Sequence, residues 1–142
     1  MILLDANLLL YAVNKDAPLH SKAKTWIEGA ISGPDTVAVC WSVLLAFLRL
    51  TTRHGVFRNP LSPEHALDLV AAWLDQPTVT VVHPGPRHLT ILRQLLGSLG
   101  TGGNLTSDAH LAALAIEHGA ELCSCDGDFA HFPGLHWKNP LA

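Results

Sequence analysis

Four carboxylates stand at points in the chain where an α/β protein gathers its ligands. Asp5 closes the apolar run Met1-Ile2-Leu3-Leu4, Asp126 and Asp128 follow the strand-like segment Glu121 to Ser124, and Asp108 lies in the first turn of a helix entered from the glycine-rich stretch Gly100 to Gly103. In open α/β sheets ligands collect outside the carboxyl ends of the strands, so acids fixed there point into one crevice. Bringing four of them together in a partly dry site raises their pKa values through desolvation and mutual repulsion, unless a multivalent cation offsets the charge. A metal is therefore expected, and oxygen-only donors select a hard ion, Mg²⁺ or Mn²⁺, over zinc. Such ions take phosphate oxygens as further ligands, which points to a phosphodiester substrate.

Each acid also has a plainer role. Asp5 fits equally well as the cap of the turn that follows it. Asp108 at a helix N-terminus is favoured by the helix dipole alone, and Asp126-Gly127-Asp128 reads as a simple Asx turn. It is the combination that carries the chemical reading. The other acids, Asp16, Glu28, Asp35, Glu64, Asp68, Asp75, Glu117 and Glu121, look like solvated helix faces or turns. The nine histidines show no ligand spacing; His110 and His131 lie near the acids, where they could touch substrate, although surface or packing roles fit them better.

The elements that must position these acids alternate between strand-like and helix-like. After the first strand, helices are expected at Ala17 to Ile31, Ser42 to Thr52, Ser62 to about Asp75, Pro86 to Leu99, and Thr106 or Ser107 to His118. Strands are expected at Thr36 to Cys40, Thr78 to Val82, Glu121 to Ser124 and Leu135 to Trp137, with a short helical turn or loop from Asp126 to Phe132. Leu89, Leu92, Leu95, Leu96 and Leu99 should face inward. Val43, Leu44, Phe47, Leu48 and Leu50 cover most of their helix, so that helix is expected to be deeply buried or shared with a partner. This alternation, with a first strand buried on both faces, fits a parallel sheet covered by helices in a single domain spanning residues 1–142.

Composition narrows the function classes. Hydrophobic residues form 49% of the 142 and charged ones 15%, which excludes a disordered tail or a charged coil. No apolar run approaches a membrane span, and a cytoplasmic location is expected. Cys40, Cys123 and Cys125 are odd in number and fit reduced thiols better than disulfides or a zinc site. A net charge of −3 means that a nucleic-acid partner needs a local basic patch. Arg49, Arg53 and Arg58, with His54, form the densest basic cluster and are candidates for holding a nucleic-acid backbone.

Leu4-Asp5-Ala6-Asn7, Thr106-Ser107-Asp108-Ala109-His110-Leu111-Ala112-Ala113 and Leu122-Cys123-Ser124-Cys125-Asp126-Gly127-Asp128-Phe129, in that order, resemble the motifs of a PIN domain. More narrowly the chain resembles the VapC-type toxin ribonucleases of bacterial toxin-antitoxin pairs, over almost its whole length. That resemblance implies a three-layer α/β/α fold with a central, mainly parallel sheet of four to five strands, a homodimer, and Mg²⁺- or Mn²⁺-dependent endonuclease action on RNA. It also implies neutralisation by a small cognate antitoxin, VapB-like, that docks over the helices and blocks the acidic pocket. By motif match Asp5, Asp108, Asp126 and Asp128 are the catalytic metal-site residues, with Asn7 and Ser124 as supporting polar groups. The expected reaction leaves 3′-hydroxyl and 5′-phosphate ends, and exposed loops of structured RNA such as tRNA or rRNA are plausible targets.

One position departs from the family pattern. Where the family carries Glu in a sequence like Val-Leu-x-Glu-Phe-Leu-Arg, this chain reads Val43-Leu44-Leu45-Ala46-Phe47-Leu48-Arg49. Losing that carboxylate should weaken cation binding and favour a single ion over a two-ion clamp. It also keeps open a rival reading, a PIN-like module that binds RNA or a protein partner without turnover. A receiver-like phosphoryl-transfer domain would need a lysine at the pocket, and Lys15, Lys22, Lys24 and Lys138 are poorly placed for that.

Overall fold

A computed structural model describes residues 1–142 apart from the side chain of Asn104. Five short strands, β1 (Ile2–Leu4), β2 (Val37–Val39), β3 (Val79–Val81), β4 (Glu121–Cys123) and β5 (Trp137–Lys138), form one sheet in the order β3-β2-β1-β4-β5. Every pairing is parallel. Six α-helices cover the sheet in a three-layer arrangement: α1 (Ala6–Val13), α2 (His20–Ser32), α3 (Trp41–Thr51), α4 (Pro63–Leu74), α5 (His88–Leu99) and α6 (Thr106–His118). Helix α1 packs on α2 and α3, and α3 on α4, while α5 packs on α6. Among the described residues no helix is long and apolar enough to cross a membrane.

The central strands are buried on both faces, which is why they read as unbroken apolar runs rather than alternating ones. Leu3, Leu4, Val37, Ala38, Leu122 and Cys123 all belong to the core. Helix α6 presses against this core through Ala109, Ala112, Ala113 and Ala115, whose small side chains allow close approach; Gly119, with φ of 66°, ends the helix in a left-handed cap. The chain runs outward from β1 to β2 and β3, then returns to the other side of β1 as β4. That reversal makes the carboxyl ends of β1 and β4 the topological switch point, where open α/β sheets take their ligands. Leu4 pairs with Cys123, and the Asp5 N–H donates to the Cys123 carbonyl at 3.0 Å, so the residues that follow the two strands emerge side by side.

Several expectations need correction. Helix α1 begins directly after Asp5, whereas the sequence marked no helix there; Leu8, Leu9 and their apolar neighbours lack the polar interruptions that reveal helical period. The second helix starts at His20 rather than Ala17. Helix α6 carries no hydroxyl cap from Thr106 or Ser107, because a short 3₁₀ turn, Gly103–Leu105, runs straight into it. The last strand is Trp137–Lys138, displaced towards the C-terminus from Leu135. Leu89, expected inward, is 65% exposed; Leu95 is buried as expected, and Ile91, which the leucine spacing passed over, completes the buried face of α5.

Helix α3 is divided between core and surface. Phe47 is fully buried, its ring edge-on to Trp73 at 4.9 Å between centroids, so it belongs to this chain's own core and not to an interface. Trp41 and Leu45, 46% and 56% exposed, are the large apolar side chains that α3 leaves open.

Candidate active site

The site is built outward from Ser124, which is fully buried at the end of β4. Its hydroxyl donates to Asp5 Oδ2 at 2.6 Å and accepts from the Asp126 N–H at 3.0 Å and from Asn7 Nδ2 at 3.1 Å. A serine hydroxyl has one proton and two lone pairs, so its capacity is fully used. Asn7 also donates to Asp5 Oδ2 at 3.3 Å and accepts from the Cys125 N–H at 3.3 Å, which ties the start of α1 to the segment after β4. The Trp137 indole N–H, donating to the Ser124 carbonyl at 3.0 Å, anchors the same segment from β5.

Asp5 fills both roles that its position left open. One carboxylate oxygen accepts from the Ala6 N–H at 2.7 Å and caps α1, while the other faces Ser124. Asp126 Oδ1 accepts from the Asp128 N–H at 2.9 Å and so starts the 3₁₀ turn Gly127–His131. The Asx turn expected there is real, and it leaves the second Asp126 oxygen available.

Asp108, in the first turn of α6, reaches the same place. One carboxylate oxygen from each of Asp108, Asp126 and Asp128 lies within 4.8 Å of the others. Asp5 stands beside this trio, near enough for repulsion to act between it and both Asp108 and Asp126. Burial, the larger cause, pushes the Asp5 carboxyl above its usual range even though Ser124 and Ala6 donate to it; Asp126 adds to the rise. Asp108 is pushed up to about 6, first by burial and then by the charges of Asp126, Asp5 and Asp128. Such a cluster is under electrostatic stress that a cation relieves. The donor set fits a hard divalent ion, since it is all oxygen; the nearby thiols do not compete, because burial pushes Cys123 up to about 12 and also raises Cys125.

A cavity of ≈ 510 Å³ opens beside the acids, with Asp5, Ser42, Ala46, Arg49, Asp108 and His110 among its lining residues. Ala46 therefore offers a methyl group at the place where the expected glutamate would have added a carboxylate.

The profile of the PIN domain matches residues 2–135. Over 142 residues the chain is 49% identical to ribonuclease VapC37 of Mycobacterium tuberculosis, covering 100% of this chain and 99% of that one. The chain belongs to the PIN-domain family, among the VapC ribonucleases. Its fold is shared by VapBC2 of Rickettsia felis, solved bound to a DNA fragment from its promoter, with a TM-score of 0.70, 21% identity and 98% of each chain covered. It is shared too by VapC20 of Mycobacterium tuberculosis, described as a sarcin-ricin-loop-cleaving toxin, with a TM-score of 0.68 and 22% identity over 96% of this chain and 99% of that one.

Of the residues singled out by sequence, this PIN domain brings together Asp5, Asn7, Asp108, Ser124, Asp126 and Asp128, with Arg49 on the cavity wall. Arg53 and Arg58 are exposed on the segment between α3 and α4 and do not line the cavity. His131 is exposed. Two sets of contacts escaped the sequence reading. His110 lines the cavity and pairs with His88 at 3.0 Å, although the two are 22 residues apart. Glu117 is no free surface acid, because it accepts from the Gly85 N–H at 2.7 Å and the Arg87 N–H at 2.8 Å, pinning the entry to α5 against α6. Position in the first turn beside Asp108 was the available signal for His110, whereas nothing local marks Glu117.

Proposed function

We propose that this PIN domain is a Mg²⁺- or Mn²⁺-dependent endoribonuclease, the toxin of a toxin-antitoxin pair. The observation that carries the reading is the meeting of Asp108, Asp126 and Asp128 beside Asp5 at the switch point of the sheet. Asp108, Asp126 and Asp128 would hold the ion, with Asp5 adjacent. When bound, a divalent ion supplies Lewis acidity and lowers the pKa of a water for attack on a phosphodiester.

The chain's own groups do the rest. Ser124 and Asn7 keep Asp5 fixed, so the acids need little reorganisation at the moment of reaction. Arg49 stands on the cavity wall, where its guanidinium can hold a phosphate of the strand, and exposed Arg53 and Arg58 extend a basic track outside the cavity. Cleavage by this route leaves 3′-hydroxyl and 5′-phosphate ends. A single-stranded or looped segment of structured RNA, as in tRNA or rRNA, suits an open cavity of this size; VapC20, which shares the fold, carries the name of a loop-cleaving toxin.

A VapB-like antitoxin is the proposed inhibitor, and Leu45, which is exposed and also borders the cavity, is the apolar contact it would cover. A homodimer belongs to the same proposal, with Phe47 excluded from its interface by burial.

The test is cleavage of total cellular RNA with Mg²⁺ or Mn²⁺, with and without chelator, comparing the wild type with Asp5→Ala and mapping the ends. Chelator-sensitive cleavage that Asp5→Ala abolishes supports the reading; equal cleavage by both proteins refutes it. Ala46 favours a second reading, a binding module without turnover. Tight RNA and cation binding with no cleavage above the Asp108→Ala background would select it.

A further inference from the structure

The histidine pair that borders the acidic cavity is used neither by the core nor by the carboxylate cluster. His88, the first residue of α5, places Nε2 at 3.0 Å from Nδ1 of His110 on α6, and the rings meet edge-on with centroids 4.8 Å apart and planes at 74°. His110 in turn lines the cavity together with Asp5, Asp108 and Arg49.

The hydrogen-bond inventory fixes which ring donates. His88 Nδ1 is, among the described residues, the one buried side-chain nitrogen or oxygen without a partner. A neutral imidazole carries a single N–H. If His110 donated across the pair, His88 would keep its proton on Nδ1, sealing an orphaned N–H in the protein. If His88 donates from Nε2, only a lone pair is sealed, which is the smaller loss. The second arrangement places the His110 proton on Nε2. That nitrogen meets no hydrogen-bonding partner among the described residues and is not itself a sealed atom.

An N–H donor lining the same cavity as Asp5, Asp108 and Arg49, and left without a protein partner, is matched by an anionic oxygen of the substrate. We propose that His110 donates from Nε2 to a non-bridging phosphate oxygen of the RNA strand next to the cleaved bond, in the cavity that Arg49 also lines. His88 is the positioning residue that fixes the His110 tautomer and ring plane. This inference rests on the ribonuclease reading and names the substrate contact it needs.

The experiment uses the RNA segment that the wild type cuts in total cellular RNA, synthesised as an oligonucleotide, with KM, kcat and thermal midpoint measured for each variant. Loss of one charge-assisted hydrogen bond predicts that His110→Ala raises KM about tenfold while kcat changes by less than about threefold. His88→Ala should raise KM by about threefold, and the double variant should match His110→Ala, because His88 acts only through its partner. His88→Gln, whose amide can donate in place of Nε2–H, should recover most of the wild-type KM. An unchanged KM in His110→Ala overturns the inference, as do thermal midpoints that fall while KM stays put. Additive losses in the double variant overturn the positioning role of His88. Asp108→Asn separates the two levels: if the wild type cuts no RNA, or Asp108→Asn cuts as well as it does, the ribonuclease reading fails and takes this inference with it; if Asp108→Asn is dead and the histidine variants are unaffected, only the histidine contact fails.

Discussion

In chelator, replacing Asp108 by Asn should make the protein more stable, although it deletes a residue of the proposed site. Burial and the neighbouring charges of Asp126, Asp5 and Asp128 raise the Asp108 carboxyl from 3.8 to about 6. That difference corresponds to about 3 kcal/mol against the ionised form at neutral pH. Asp108 is only half-buried, so solvent screening reduces the figure to about 1 kcal/mol, or roughly 3 °C in thermal midpoint for a chain of this size. The sign follows from the raised folded-state pKa: the penalty is absent below about pH 3.8, where the carboxyl is protonated in both states, and is fully present above about pH 6. Asp108→Asn should therefore melt higher than the wild type above about pH 7 in EDTA and show no advantage near pH 4. Mn²⁺ should reverse the order at neutral pH, since only the wild type keeps the full donor set. Scanning fluorimetry across pH, with and without the ion, reads all of this. A variant that melts lower than the wild type in EDTA at neutral pH, or by the same margin at both pH values, would refute the electrostatic argument.

Other predictions follow from the same contacts. Ser124→Ala strips Asp5, Asn7 and the Asp126 N–H of a shared partner and should cost about 1–3 kcal/mol in urea denaturation. Ala46→Glu adds a carboxylate to the cavity and should tighten Mn²⁺ binding by about tenfold in calorimetry; unchanged affinity would show that position 46 lies outside the reach of the ion. Arg49→Ala should weaken RNA binding and lower the salt dependence by roughly one phosphate contact, measured by fluorescence anisotropy in chelator. Leu45→Asp should leave the unfolding free energy in urea within about 0.5 kcal/mol of the wild type while weakening capture by the antitoxin, whereas Phe47→Ala should cost about 3–5 kcal/mol.

The acidic site was legible because its parts sit at element boundaries. A strand buried on both faces announces itself as an apolar run, so Asp5 and Asp126 could be placed at the ends of β1 and β4 without knowing the strand order. Asp108 was found from the glycine-rich entry and the alanine-rich face of α6. Periodicity failed where it had no contrast: α1 is apolar on nearly every side and hides between β1 and the next turn. It misled in α5, where Leu89 continues the leucine spacing yet lies on the open side. On α3 the apolar surface exceeds what the sheet covers, and sequence could not say that Phe47 turns inward while Leu45 stays outside. The His88–His110 and Glu117 contacts join residues 22 to 32 positions apart, and such partners become visible only when α5 is laid against α6.

The central claim is that carboxylates from the start of α6 and the turn after β4 hold one divalent ion beside Asp5. Titration of the purified chain with Mn²⁺ by calorimetry tests it most directly. The account predicts one ion per chain, bound far more weakly by Asp108→Asn and lost in the Asp108→Asn, Asp126→Asn double variant. Binding that is absent from the wild type, or unchanged in the double variant, would contradict it.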